Sequence, residues 1–127
     1  MDFIAARENM IDCQLRTNKV TDERILYAMA SLPREHFVSS EREYMAYVDI
    51  DIPCGEGRNL MAAMTSARLI QEAVIHEDDE VLCIGAGTGY SVAVMAGLAS
   101  SVIALESEKV CAAKADELFS ELMISYQ

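Results

Sequence analysis

VLCIGAGTGYSVAVMAGLASSVIALE, residues Val81 to Glu106, is the stretch around which the chain is organised. Val81-Leu82-Cys83-Ile84 is an apolar run too short for a helix and closed by glycine, which predicts a parallel strand buried on both faces. Gly85-Ala86-Gly87-Thr88-Gly89 follows at once. Alternate glycines let the backbone take positive φ and approach a ligand with no Cβ in the way, and the next helix aims its N-terminal amides at the same spot. Val102-Ile103-Ala104-Leu105 predicts a second strand, with Glu106 at its carboxyl end. In a parallel βαβ unit the two strand ends lie side by side, so Glu106 is expected beside the glycine turn, where its carboxylate could accept both hydroxyls of a ribose.

Glycine spacing selects among nucleotide ligands. A dinucleotide fingerprint, G-x-G-x-x-G, needs glycine where this chain has Tyr90, which disfavours a nicotinamide oxidoreductase, and the phosphate loop G-x-x-x-x-G-K-[ST] is absent. What remains is G-x-G-x-G after a strand, with an acid ending the next strand. That arrangement resembles the first motif of Rossmann-like S-adenosylmethionine-dependent methyltransferases. The competing account of the glycines is an α/β turn packed tightly on its helix, with no ligand.

At 127 residues the chain is one domain at most. Hydrophobic residues make up 52% but aromatics only 6%, so the expected core is aliphatic, with eight methionines filling its irregular gaps. A formal charge of −11 repels phosphate backbones and anionic bilayers, which argues against nucleic acid or a membrane surface as partner. Cys13, Cys54, Cys83 and Cys111 are scattered, with no C-x-x-C pair and no histidine at zinc spacing. Reduced cysteines and the lack of an apolar leader core fit a cytoplasmic protein. The run Glu77-Asp78-Asp79-Glu80 reads as a solvated turn and not a metal site, because hard-cation loops alternate their ligands.

Along the chain, Phe3, Ile4, Ile11 and Leu15 fall at helical spacing. Thr21 is the expected cap of a second helix carrying Ile25, Leu26, Met29 and Leu32, stopped by Pro33. Ser40 and Glu43 have the form of a capping box for a short helix over Glu41 to Met45. Ala46 to Asn59 predicts an extended segment running into a loop, and a helix resumes over Ala62 to Ile75 with Met64, Ala67, Ile70 and Val74 on one face. After Glu106, Ser107 is expected to cap a last helix with Val110, Ala113, Leu118 and Leu122 inward.

Taken together, MIDCQLR (Met10 to Arg16), TDERIL (Thr21 to Leu26), LPREHFV (Leu32 to Val38), AYVDIDIP (Ala46 to Pro53) and VLCIGAGTGY (Val81 to Tyr90) resemble the protein-L-isoaspartate O-methyltransferase family. The resemblance implies an α/β fold: an N-terminal helical subdomain over residues 1–60, then a helix and the first βαβ unit of a Rossmann-like methyltransferase sheet over 61–127. It implies S-adenosyl-L-methionine as cofactor and isoaspartyl proteins or peptides as substrate. Gly85, Ala86, Gly87 and Gly89 would then cradle the methionyl part and Glu106 the ribose, with Tyr90 opening the helix behind them. Arg34, Glu35, His36 and Asp49 would serve either the site or the stability of the helical part.

Three departures bear on activity. Cys83 stands where the family usually carries an acid, and Met61 where it has a substrate-site serine. The chain also reads as a truncated, N-terminal part of a seven-stranded fold, stopping at Ser125-Tyr126-Gln127, so its open sheet edges invite a homo-oligomer. The alternative to a methyltransferase is a non-catalytic cofactor-binding or assembly module of the same descent.

Overall fold

The structure, a computed structural model, describes residues 1–125. Helix α1 (Phe3–Asn9) is capped by Asp2, whose carboxylate accepts the N–H groups of Ile4 and Ala5, each at 3.1 Å. It runs on through a wider π-type turn over Met10–Leu15 and a 3-10 turn over Arg16–Asn18, and stops at Lys19 with φ 67°. The wide turn shifts which positions face inward: Met10, Ile11 and Leu15 are buried, whereas Ile4, expected on the inner face, is exposed.

Helix α2 (Glu23–Ser31) is capped by Asp22 and not by Thr21. The Asp22 carboxylate accepts the Arg24 N–H at 3.0 Å, while the N–H groups of Thr21 and Asp22 both go to the Gln71 side chain, which also donates to the Lys19 carbonyl. Gln71 thus ties the start of α2 to a helix some fifty residues on. The turns Arg34–Phe37 and Ser40–Met45 are 3-10, and the capping box at Ser40 does not form.

Val48 and Ile50 lie exposed in turns; the extended segment starts only at β1 (Ile52–Gly55). It pairs antiparallel with β2 (Arg58–Leu60) around Gly55-Glu56-Gly57, three consecutive left-handed residues, so the supposed helical part ends in a hairpin. Helix α3 (Ala63–Glu72) is shorter than expected. Val74, at φ 51°, turns the chain outward, and Ile75 is buried in its place.

The βαβ unit is β3 (Glu80–Ile84), α4 (Tyr90–Ala96) and β4 (Ser101–Leu105), followed by α5 (Lys109–Glu121). The strands are parallel, with Val81 opposite Val102 and Ile84 opposite Leu105. Their inner face joins one contiguous core that also takes Leu15, Ile25, Met29, Phe37, Ile52, Ala67, Val92 and Leu118, so the helical part and the βαβ unit share it. The expectation of strands covered on both faces is overturned: Leu82, Ile84, Ile103 and Leu105 are 57%, 73%, 45% and 56% exposed. An apolar run reads alike whether one face or two are covered, and here α4 and α5 contribute to the core on one side only. In α5 the inward residues are Cys111, Ala115, Leu118 and Phe119, while Val110 and Ala113, expected inward, are exposed. Among the described residues no helix is long and apolar enough to cross a membrane.

Candidate functional site

Backbone bonding builds the site from the strand ends. The N–H groups of Gly85 and Ala86 donate to the Leu105 carbonyl at 2.8 and 3.2 Å, which swings the turn over the end of β4. Gly87 then donates its N–H to Glu106 Oε1 at 2.7 Å. The other carboxylate oxygen accepts the Glu108 N–H at 2.8 Å and Arg58 Nη2 at 2.7 Å. The expected neighbourhood of Glu106 and the glycine turn is therefore formed, but α5 starts after Glu108 with no side-chain cap, so Ser107 does not cap it as expected. Ser107 instead presents its hydroxyl to Arg58 at 3.3 Å.

The Glu106 side chain is only 4% exposed. Burial disfavours its ionised form, but the N–H donors of Glu108 and Gly87 and the Arg58 charge outweigh that, and its pKa is lowered. A carboxylate whose folded pKa is depressed adds stability that is present above its unfolded pKa and lost as pH falls through the folded one. Thermal unfolding followed from neutral pH downward is therefore expected to show a Glu106-dependent loss below about pH 4.5. In Glu106→Gln that part of the acid loss disappears, so the stability gap to the parent narrows with acid; a constant gap would contradict the ionic account.

The three glycines of the turn are left-handed, but they serve different neighbours. At Gly87 a Cβ would meet nothing within 4 Å, so the backbone faces open space. At Gly85 it would lie 3.3 Å from Arg58 Nη1. At Gly89 it would strike Phe119 Cζ at 2.5 Å, so this glycine serves the packing of α5 and the packing account of the motif holds there. Gly85, Ala86 and Gly87 line a cavity of about 240 Å³ together with Cys54, Arg58, Met61, Cys83, Tyr90 and Ser91.

Tyr90 is 1% exposed, with its ring edge-on to Phe37 at 5.3 Å and the Arg34 guanidinium 4.8 Å over its face. Arg34 is wholly buried; its Nε donates to the Ala46 carbonyl at 2.7 Å and its Nη2 to the Met61 carbonyl at 2.9 Å, which fixes the segment leading into α3. The Tyr47 hydroxyl donates to Glu35 and accepts from Arg7 Nε and the Arg34 N–H. Burial, then the bond to Glu35, pushes the Tyr47 pKa well up, so this hydroxyl stays protonated. Arg34 and Glu35 are thus framework for the cavity wall, whereas His36 and Asp49 are exposed. In the AYVDIDIP block it is Asp51 that bonds, accepting the Ala62 N–H at 2.8 Å.

Thr88 Oγ1 donates to the Phe37 carbonyl at 2.9 Å, tying the glycine turn to the LPREHFV block. Arg58, Asp51 and Thr88 were not singled out by sequence reasoning. The signal for Arg58 was an arginine directly after Gly55-Glu56-Gly57 in a chain with 21 acidic and 10 basic residues. Of the two departures in the site, Cys83 is half-buried and Met61 is 41% exposed, and neither supplies a charge to the cavity. Burial, then the Glu106 charge, raises the Cys83 pKa and keeps the thiol neutral. Thr65 is exposed, and the buried Ser66 hydroxyl lies 3.2 Å from that of Ser91.

A parallel strand pair joined by a helix, with an open left-handed turn after the first strand and a carboxylate after the second, is the opening unit of a Rossmann-like nucleotide-binding fold. The chain matches the model of the family described as Protein-L-isoaspartate(D-aspartate) O-methyltransferase (PCMT) over residues 5–124. It is 40% identical over 113 residues to the Protein-L-isoaspartate O-methyltransferase of Koribacter versatilis, covering 89% of this chain and 51% of that protein. A solved protein-L-isoaspartate O-methyltransferase superposes with a TM-score of 0.81 at 26% identity, over 95% of this chain and 41% of that one. A Plasmodium falciparum structure of the same family name, in complex with S-adenosyl-L-homocysteine, shares the fold with a TM-score of 0.76 at 17% identity, over 99% of this chain and 61% of that one. The chain therefore belongs to the protein-L-isoaspartate(D-aspartate) O-methyltransferase family. It spans about half the length of the curated relatives it matches.

Proposed function

We propose that this chain carries the adenosyl-binding part of an S-adenosylmethionine-dependent protein carboxyl methyltransferase that acts on L-isoaspartyl and D-aspartyl residues. The observation that carries the reading is the Glu106 carboxylate bonded to the Gly87 N–H beside a turn whose outer side is open. The residues fit an adenosyl group in that a Cβ at Gly87 would stand in the open space, and a buried carboxylate waits at ribose position. Gly85, Ala86 and Gly87 would run along the methionyl part and Glu106 would accept from the ribose. Tyr90 would form the floor, and Gly89 would hold the turn's shape through Phe119.

When bound, the cofactor supplies an electrophilic methyl group on a sulfonium. The chain's own residues then have little proton work to do, because a substrate carboxylate with a pKa near 4 is already ionised at pH 7. Their contribution is alignment and the exclusion of water. The family match and the S-adenosyl-L-homocysteine complex of the Plasmodium falciparum relative support this reading. Residues 1–60 would form the substrate-side cap and 61–127 the cofactor half, in a reducing cytoplasm. The bare Leu82, Ile84, Ile103 and Leu105 face and the open edges of a two-stranded sheet favour self-association.

A second reading, a cofactor-binding or assembly module without catalysis, is favoured by Cys83 and Met61, which line the cavity and bring neither acid nor hydroxyl. Calorimetric titration of S-adenosylhomocysteine into the chain, with a methyl-transfer assay on an isoaspartyl peptide, separates the readings. Micromolar binding with transfer supports the enzyme, binding without transfer the module. Absence of binding would remove the adenosyl site itself.

A further inference from the structure

Arg58 reaches from the start of β2 across the cavity mouth to the one carboxylate on which the adenosyl reading depends. Its Nη2 donates to Glu106 Oε2 at 2.7 Å, and its Nη1 lies over the glycine turn, 3.3 Å from where a Cβ on Gly85 would stand. A carboxylate offers about four lone-pair positions. The Gly87 N–H, the Glu108 N–H and Arg58 use three of them, and a ribose diol needs two. One donor must therefore leave when a ribose arrives.

The two backbone donors cannot withdraw without undoing the turn or the start of α5. The Arg58 side chain, 32% exposed on a flexible stem, can. Its departure also clears room, since the cavity of about 240 Å³ falls short of the roughly 300–1,000 Å³ typical of small-molecule sites.

Charge sets the second consequence. Once neutral hydroxyls occupy Glu106, the guanidinium has lost its counter-charge at short range but remains tethered beside the cavity. Cys83, which lines the same cavity, is a neutral thiol and supplies no replacement. A ligand bringing its own positive charge to this place meets repulsion that an uncharged one does not. We propose that Arg58 is a specificity-determining residue of the adenosyl site: it holds Glu106 until a ribose displaces it, and its charge then favours an adenosyl thioether over an adenosyl sulfonium. The inference rests on the reading of Glu106 as ribose acceptor.

The test is calorimetric titration of adenosine, S-adenosylhomocysteine and S-adenosylmethionine into the parent chain, Arg58→Gln and Arg58→Lys, each checked by far-ultraviolet circular dichroism for an intact fold at the titration temperature. In Arg58→Gln adenosine is expected to bind more tightly, because the carboxylate is released. S-Adenosylmethionine should gain on the order of three- to tenfold more than S-adenosylhomocysteine, the range for one partly solvated charge at several ångströms. Arg58→Lys keeps the charge and should keep the parent's preference for the thioether. Equal gains for the two cofactor forms in Arg58→Gln, or weaker binding of all three ligands, would overturn the proposal while leaving the adenosyl site in place. Failure of every variant to bind any of the three would overturn the ribose reading of Glu106, and this inference with it.

Discussion

Glu106→Gln is expected to weaken S-adenosylhomocysteine binding by at least about a hundredfold. The carboxylate is the proposed acceptor for two ribose hydroxyls, and each hydrogen bond to a charged group contributes about 1.5–3 kcal/mol, so losing the charge removes roughly 3 kcal/mol or more. The amide keeps one acceptor oxygen but puts an NH₂ where the second stood, and that NH₂ would face the donors of Glu108 and Arg58. In that orientation the remaining oxygen still accepts the Gly87 N–H, so the turn keeps its bond. Calorimetry reads the affinity, and far-ultraviolet circular dichroism shows whether the βαβ unit is intact. An affinity within threefold of the parent in a folded variant would mean that the ribose lies elsewhere.

Gly89→Ala is expected to cost about 2–5 kcal/mol of stability, a large part of the 5–15 kcal/mol typical of a whole domain. Two effects add. At φ 95° a Cβ meets its own backbone, at roughly 1–2 kcal/mol. The added methyl would also press on Phe119 Cζ and Cε1 at 2.5 and 2.9 Å and on Ala115 Cβ at 3.2 Å, and forcing a methyl into a packed core costs about 1–3 kcal/mol. Gly87→Ala provides the contrast. Its φ of 60° carries a comparable backbone cost, but a Cβ there meets no atom within 4 Å, so it should lose only about 1 kcal/mol of stability while intruding on the ligand's space. Urea unfolding of the two variants orders them. Equal losses would mean that Phe119 yields freely and that Gly89 is not a packing glycine.

Residues Val81 to Glu106 show what could be read without coordinates. The strand, turn, helix and strand follow one another directly, and the alternate glycines mark the positive φ at Gly85, Gly87 and Gly89. A parallel register that sets Ile84 opposite Leu105 leaves Glu106 nowhere to be but beside the turn. The family blocks were equally legible, but the work of each residue was not. Arg34 and Glu35 are framework, His36 and Asp49 are exposed, and Asp51, which sequence reasoning did not single out, accepts the Ala62 N–H. Asp22 and not Thr21 caps α2, its carboxylate accepting the Arg24 N–H, and the Ser107 hydroxyl accepts from Arg58 while α5 starts after Glu108 with no side-chain cap.

What the sequence determined by itself is the βαβ unit and the meeting of its glycine turn with Glu106, since both follow from one short strand–helix–strand connection with a parallel register and from the absence of a Cβ. What only the tertiary structure decided is who occupies each face and each lone pair. The outer face of Leu82 and Ile84 stays bare, Gly89 is claimed by Phe119, and Glu106 is met by an arginine from 48 positions away. Backbone preference extends over a turn or two, whereas packing and hydrogen-bond competition are settled by whatever the rest of the chain brings within a few ångströms.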